Sequence, residues 1–202
     1  MRRKADAELE RALSEVRWVQ ENIVLVRFRP MENERLFGRR TIARIIEQGK
    51  VNYMSPCLEL TSVLGARLKE AGFKPVLVVQ ELISHHTGKP LMHFALEVMA
   101  GRKQYVLDFK AGKDAVVYAG KYSPEKSSTG KESLSVKRMR SGFSRESSPL
   151  GVLGIRNWAE VGRKFRHVKF EHVRGAAERM RIDDSSKIFE SVRKIRPSIR
   201  RL

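Results

Sequence analysis

The spacing of apolar residues predicts two helices in the first fifty positions. Leucines and valines recur at the interval of one helix face from about Ala5 to Gln20, which predicts an amphipathic helix. Inward-facing isoleucines predict a second helix over residues 39–48, and Gly49 directly after it is typical of a helix end. A strand-like alternation over residues 22–28 lies between these two helices.

A third predicted helix begins shortly afterwards. Ser55 is a good N-cap, Pro56 suits the first helical position, and Cys57 becomes the second. Apolar residues continue an inward stripe until Gly72 ends the helix. The single cysteine of this sequence is therefore expected at the start of a helix.

Three strand-like segments follow. Residues 75–82 form an apolar run between turn-prone residues, which predicts a buried strand. Residues 91–99 and 103–109 are β-type runs on either side of Gly101-Arg102, which is typical of a hairpin with a glycine-first turn. The chain is thus expected to be α+β, with the cysteine helix packed on a small antiparallel sheet.

The character of the sequence changes after residue 120. Residues 121–149 are rich in serine, lysine and glycine, which predicts a flexible loop or lid. Residues 157–180 have the pattern of a basic helix with apolar anchors, residues 183–192 that of a short final helix, and residues 193–202 that of a basic tail. We therefore expect a core over 1–120 with N-terminal helices, a loop over 121–149, and a basic, mainly helical region over 150–202.

The charge of the chain is high and uneven. The net charge is +18, with 20 basic and 14 acidic residues in 1–120 and 21 basic and 9 acidic residues in 121–202. A field of this sign attracts polyanions, so nucleic acid or a ribonucleoprotein is a possible partner. The alternative is a basic surface that only keeps the protein in solution. The candidate nucleic-acid contacts are Arg163, Lys164, Arg166, Lys169, Arg174, Arg179, Arg181, Arg193, Lys194, Arg196, Arg200 and Arg201.

Other compositional features narrow the class of protein. The 41% hydrophobic share is enough for a core, and no apolar run is long enough to cross a bilayer. The first residues alternate charges and carry no apolar segment of a secretory signal. One cysteine forms no internal disulfide, so the cytoplasm is the expected compartment.

The order Cys57, His93, Asp108 suggests a nucleophile, its base and the orienter of the base. A helix start and a nearby imidazolium both favour the reactive thiolate. Backbone N–H groups at the helix start are candidate oxyanion donors, and Gln48 and Tyr53 are candidates for a further donor.

The hairpin allows a geometric test of this constellation. With a two-residue turn, Ala95 lies opposite Asp108, and His93 is a diagonal neighbour on the same face. Such neighbours lie roughly 7–8 Å apart, within reach of an Asp–His hydrogen bond. A loop with an odd number of residues would place Asp108 on the other face.

Each of these residues also has a purely structural interpretation. A lone cysteine near a helix start is often a small buried hydrophobe, a strand histidine is often part of the core, and Asp108 could cap the following turn. His85 and His86 lie in a polar loop without a cysteine pair, so neither a metal site nor a cofactor is predicted.

The segment Thr41 to Gly112 resembles the core of the transglutaminase-like superfamily, relatives of papain-like cysteine enzymes. The resemblance rests on EQGKVNYMSPC, CLELTSVLGARLKEAGFKPVLVV, HFALEV and YVLDF in that order. It implies a papain/transglutaminase-like core in which Cys57 is the nucleophile, His93 the base and Asp108 the orienter. Two features depart from the usual pattern of the family. They are the residues Tyr-Met-Ser-Pro directly before the cysteine and Ala95, two positions after the histidine.

Two functions follow from these observations. The first is a thiol-dependent amide hydrolase or acyltransferase, of protease, amidase or transglutaminase type, that acts on a protein or peptide amide. The alternative is a catalytically inactive basic module of the same fold that binds RNA, the ribosome or another nucleoprotein.

Overall fold

A computed structural model describes residues 2–28, 35–53, 56–85, 88–111, 113–127, 130–168 and 199–201. Its helices are α1 (Arg2–Asn22), α2 (Ile42–Gln48), α3 (Pro56–Glu70), α4 (Pro124–Ser127), α5 (Pro149–Val152) and α6 (Val161–Lys164), with a 3₁₀ turn over Trp158–Glu160. Its strands are β1 (Val24–Val26), β2 (Lys50–Asn52), β3 (Val76–Ile83), β4 (Pro90–Ala100), β5 (Lys103–Ala111), β6 (Asp114–Ala119), β7 (Glu132–Met139) and β8 (Ile199–Arg201).

The sheet confirms the expected α+β class. Six strands lie in the order β7-β3-β4-β5-β6-β8, and every neighbouring pair is antiparallel except β6 and β8. A separate parallel pair joins β1 to β2. None of the described helices is long and apolar enough to cross a membrane.

Helix α3 lies at the centre of the core. Leu58, Leu60 and Leu64 are fully enclosed among side chains of α1, α2 and one face of the sheet. The Thr61 hydroxyl donates to the backbone carbonyl of Phe94 at 3.2 Å, which ties the helix to β4. The start of α3 is therefore held against the strand that carries His93.

The predicted helix ends are found where local chemistry requires them. Thr41 caps α2 by accepting from the backbone N–H of Arg44, and Gly49 ends it in the left-handed region at φ 60°. Helix α3 begins at Pro56, as expected, while Ser55 lies outside the described residues. Its C-terminal Gly72 has φ 88°, a conformation that costs glycine little.

The opposite face of the sheet is also covered. Val78, Ala95, Val106 and Val116 form a second apolar cluster with two tyrosines, Tyr118 and Tyr122. The central strands are therefore buried on both faces, so polar side chains on them are removed from bulk water.

The expectation of a flexible loop over 121–149 is wrong for a large part of that segment. Strand β7 pairs antiparallel with β3 from Leu77 to Ile83, with a register shift between Glu81 and Leu82. The Ser135 hydroxyl donates to the Glu81 carboxylate at 2.7 Å. Strand β7 is an edge strand whose polar side chains are largely exposed, so its composition resembles that of a loop.

The predicted basic helix over 157–180 is found only in part among its described residues, where a 3₁₀ turn over Trp158–Glu160 leads into α6. Helix α6 ends at Lys164, and Phe165 is extended at φ −116° and ψ 129°. The Glu81 carboxylate accepts backbone hydrogen bonds from His167 and Val168, which holds this segment on the sheet rather than in a helix. Residues 169–198, which include most of the predicted helical region, lie outside the described residues.

The end of the chain also differs from the expected basic tail. Residues Ile199–Arg201 form β8, which pairs in parallel with β6. Main-chain pairing with Ala115 to Val117 gives this basic segment a place in the sheet despite its charge.

Candidate active site

Cys57 occupies the second position of α3, as the sequence predicted. It is free, partly buried, and packed against the hydrophobic core. Helix α3 contacts β4 and β5, the strands that carry the predicted base and acid.

The hairpin has the register that the sequence required. Ala95 is the Cα partner of Asp108, and Ala100 is the partner of Lys103, so the turn consists of Gly101 and Arg102. His93 Nε2 lies 2.6 Å from Asp108 Oδ1, a short distance for a hydrogen bond. His93 is 5% exposed and Asp108 1% exposed, so water screens this pair weakly.

The electrostatics of the site favour a charged imidazole. Burial alone lowers the pKa of His93, but the charge and hydrogen bond of Asp108, together with the Cys57 side chain, raise it to about 10. The protonated ring therefore dominates at neutral pH. The Cys57 side chain thus acts on the same ring as Asp108, so the protonation of one imidazole depends on both a thiol and a carboxylate.

The two ring nitrogens have different partners. Nε2 faces Asp108, which leaves Nδ1 as the ring nitrogen for the thiol of Cys57. The structure thus brings together all three residues of the predicted triad. Chemically, this arrangement can stabilise a thiolate beside an imidazolium and then return the proton to a leaving group.

The two proposed oxyanion donors have other partners. The amide oxygen of Gln48 accepts from Arg40 Nη1 at 2.6 Å, and no described hydrogen bond joins Gln48 to Cys57. Tyr53 is partly buried, and its backbone N–H donates to Val26 at the end of β1. Neither residue gains support as an oxyanion donor from these contacts.

A buried ion pair beneath the start of α3 was not anticipated from the sequence. Arg40 Nη2 lies 3.1 Å from Glu59 Oε2, with both side chains almost fully buried. Burial raises the pKa of Glu59 despite Arg40 and the backbone N–H groups of Gly38 and Asn52. This pair anchors the first turn of α3, two residues after the cysteine. A glutamate within an apolar helix stripe was the only sequence signal for it.

Two further buried polar residues, Gln80 of β3 and Glu97 of β4, were also not identified from the sequence. Gln80 is the Cα partner of His93, and it is 4% exposed. The hydroxyl of Tyr122 donates to its amide oxygen at 2.5 Å. The backbone N–H of Tyr122 donates to the buried carboxylate of Glu97 at 2.7 Å. Glutamine and glutamate within the apolar strands β3 and β4 were the signals that could have identified this network.

The candidate nucleic-acid contacts are only partly described. Arg163 and Arg166 are exposed, whereas the Lys164 ammonium donates to the Gly154 carbonyl. Arg201 pairs with Glu10 of α1, and Arg200 lies in β8. Seven candidates lie outside the described residues, namely Lys169, Arg174, Arg179, Arg181, Arg193, Lys194 and Arg196.

The histidines of the polar loop do not extend this site. His85 is exposed, and His86 lies outside the described residues. Among the residues that the structure describes, no group of three or more His, Cys, Asp or Glu is arranged to hold a metal ion.

Comparison of this chain with protein-family models, with characterised proteins and with solved structures gives no match.

Proposed function

We propose that this protein is a thiol-dependent amide hydrolase or acyltransferase that works through a covalent acyl-enzyme. The single observation that carries the proposal is the buried His93 ring, whose Nε2 is 2.6 Å from Asp108 and whose pKa is raised by both Asp108 and Cys57. A nucleophile, a base and an orienter in this arrangement are the parts that acyl transfer requires.

The reaction follows from the protonation state of the site. The Cys57 sulfur attacks the carbonyl carbon of an amide, and the π electrons of the carbonyl move onto its oxygen. The tetrahedral species then collapses, the C–N bond breaks, and the His93 imidazolium gives its proton to the departing nitrogen. The now neutral ring takes a proton from water or an acceptor amine, which attacks the thioester and frees the sulfur.

The order of elements supports a papain/transglutaminase-like core as part of the proposal. A helix with the cysteine near its start is followed by a strand, a histidine strand and an aspartate strand, as in the resemblance described above. The substrate that this proposal implies is a protein or peptide amide, since these are the substrates of that family.

Alkylation by iodoacetamide tests the proposal directly, because Cys57 is the only thiol. We expect folded protein to be alkylated at pH 7 about tenfold or more faster than the same chain unfolded in urea, since the imidazolium favours the thiolate. The variant His93→Gln is the control and should react no faster than unfolded chain. A folded wild-type thiol that reacts as slowly as His93→Gln contradicts the proposal.

A second candidate function is a basic module that binds RNA or a nucleoprotein without chemistry. It is favoured by the net charge of +12 in residues 121–202 and by exposed arginines at positions 163 and 166. Phosphate contacts release counterions, so affinity for RNA should fall steeply as salt is raised from 50 to 200 mM. Affinity that stays flat over this range contradicts this second function.

A further inference from the structure

The polar surroundings of His93 contain one donor that the triad does not use. Gln80 on β3 is directly opposite His93 on β4. Directly opposed residues of an antiparallel pair point to the same face, with Cβ atoms roughly 4.5–5.5 Å apart. The amide of Gln80 is therefore a neighbour of the ring that contacts Cys57.

The orientation of this amide is set by a tyrosine. The Tyr122 hydroxyl donates to Gln80 Oε1 at 2.5 Å, and Tyr122 is itself held by its backbone bond to Glu97. Because the oxygen end is occupied, the Nε2 end is available as a donor. Gln80 Nε2 donates to no other residue within the described ranges.

The Nε2 end of this amide is a donor beside the histidine. Gln80 is 4% exposed and lies on the same sheet face as Val78 and Ala95 of the second apolar cluster. Gln80 Nε2 is not among the described side-chain atoms that are buried without a partner, so this donor has access to solvent, where a ligand can reach it.

We infer that Gln80 is a catalytic residue whose amide N–H donates to the carbonyl oxygen of the acyl group attached at Cys57. This inference rests on the proposed acyl-transfer function. It replaces Gln48 and Tyr53 as the side-chain donor to the oxyanion, alongside the backbone N–H groups at the start of α3.

A small aldehyde tests this role without knowledge of the substrate. With N-acetylglycinal, the sulfur of Cys57 adds to the aldehyde carbon, the π electrons move to oxygen, and the proton shared by Cys57 and His93 ends on that oxygen. The resulting hemithioacetal has the tetrahedral geometry of the reaction intermediate. Its affinity can be measured by protection of Cys57 from methyl methanethiosulfonate, a thiol reagent that has no carbonyl.

The informative variant is Gln80→Met, which keeps the length of the side chain and removes the amide. We expect it to bind the aldehyde about tenfold or more weakly, because loss of one oxyanion donor commonly costs about 10²–10³ in rate. Its reaction with methyl methanethiosulfonate alone should stay within about twofold of wild type. If Gln80→Met does not fold, Gln80→Glu keeps the acceptor for Tyr122, lacks the N–H donor, and should show the same loss.

Two tyrosine variants separate a donor from a packing residue. Tyr122→Phe frees the amide to rotate and should weaken aldehyde binding in the same direction, but less. Tyr118→Phe removes a hydroxyl from the same apolar cluster that does not touch Gln80, and it should bind the aldehyde as wild type does.

The failures are distinguishable. Wild-type protein that forms no aldehyde adduct overturns both the acyl-transfer function and the role of Gln80. An adduct that forms equally well in wild type and in Gln80→Met overturns the role of Gln80 alone. An equal loss in Gln80→Met and Tyr118→Phe also overturns it, because the effect is then one of packing.

Discussion

The chemistry of single residues in this protein depends on a buried charge pair. His93 has its pKa raised to about 10, although its burial acts in the opposite direction, because Asp108 and Cys57 outweigh the loss of water. The imidazolium is therefore present over most of the physiological range. The folded protein keeps a proton on His93 at pH values at which an unfolded histidine, with a pKa near 6.5, has lost it. This difference in proton binding makes the stability of the protein depend on pH.

Replacement of this histidine should change how stability depends on pH. A raised pKa in the folded state contributes stability that is full below about pH 6.5 and is lost as pH rises through about 10. The free energy of unfolding of wild type relative to His93→Gln should therefore decline across this window. Urea unfolding at several pH values measures it.

The control is His85→Gln, because His85 is exposed in the loop after β3. Its free energy of unfolding should follow that of wild type at every pH. A difference between wild type and His93→Gln that is constant from pH 6 to pH 10 contradicts the raised pKa of His93.

Removal of the Asp108 charge should reduce the reactivity of Cys57. In Asp108→Asn the imidazolium loses its main stabilising partner, so less of the ring is charged at pH 8. We expect the iodoacetamide rate constant to fall about tenfold, which corresponds to ~1.4 kcal/mol. Asp6→Asn, an exposed carboxyl on α1, should leave the rate unchanged. An Asp108→Asn protein that reacts at the wild-type rate contradicts the role of this carboxylate.

At the scale of elements, the placement of α3 depends on a glycine. Phe143, in the segment after β7, packs its ring directly against the backbone of α3 at Gly65. A Cβ atom built on Gly65 would lie 2.4 Å from that ring. This close contact holds the segment around Phe143 against α3. It also explains why a residue with poor helix propensity lies in the middle of the helix.

The variant Gly65→Ala should be destabilised by about 1–3 kcal/mol, although alanine favours helices, because the added methyl group overpacks the core. The matched control is Gly142→Ala, whose Cβ meets nothing within 4 Å. Chemical denaturation compares the two. In Gly65→Ala/Phe143→Leu the smaller side chain should recover part of the loss, and no recovery would argue against this contact as the cause.

At the scale of the whole molecule, the positive charge is unevenly distributed along the chain. The segment from 121 onwards has the larger basic excess, but part of it is used within the fold. Arg138 binds the buried Glu97 carboxylate, and Arg145 binds Glu70. The exposed arginines 163 and 166 are the described members of the candidate set best suited to a polyanion.

If the basic region binds RNA, reversal of these two charges should weaken it. Arg163→Glu/Arg166→Glu should lower affinity for a single-stranded RNA at 100 mM salt and reduce the slope of log affinity against log salt by about 1.4, since each phosphate contact on a single strand contributes about 0.7. The control is Arg102→Glu/Lys103→Glu, which makes the same charge change at two exposed residues, one in the hairpin turn and one at the start of β5. Equal losses in both variants would show that net charge, not this surface, governs binding.

The local elements around the site were predictable from sequence because short-range chemistry determines them. Proline at the start of α3, Gly49 after α2 and the Gly101-Arg102 turn each restrict the backbone over a few residues. The register of the hairpin then follows from the length of the turn, and with it the shared face of His93 and Asp108. The α+β class, the helix position of Cys57 and the register of its two candidate partners could all be predicted in this way.

Long-range contacts determined the features that were not predicted. Strand β7 and the extended segment after Lys164 both depend on Glu81, whose carboxylate binds Ser135 and two backbone N–H groups far along the chain. The orientation of the Gln80 amide depends on a hydrogen bond from Tyr122, which lies 42 residues away in the sequence. A local pattern contains no information about such partners, so a polar edge strand resembles a loop and a buried glutamine resembles any other. The order of Cys57, His93 and Asp108 can be read from the sequence. The hydrogen-bond donors around them depend on how strands that are distant in sequence pack together.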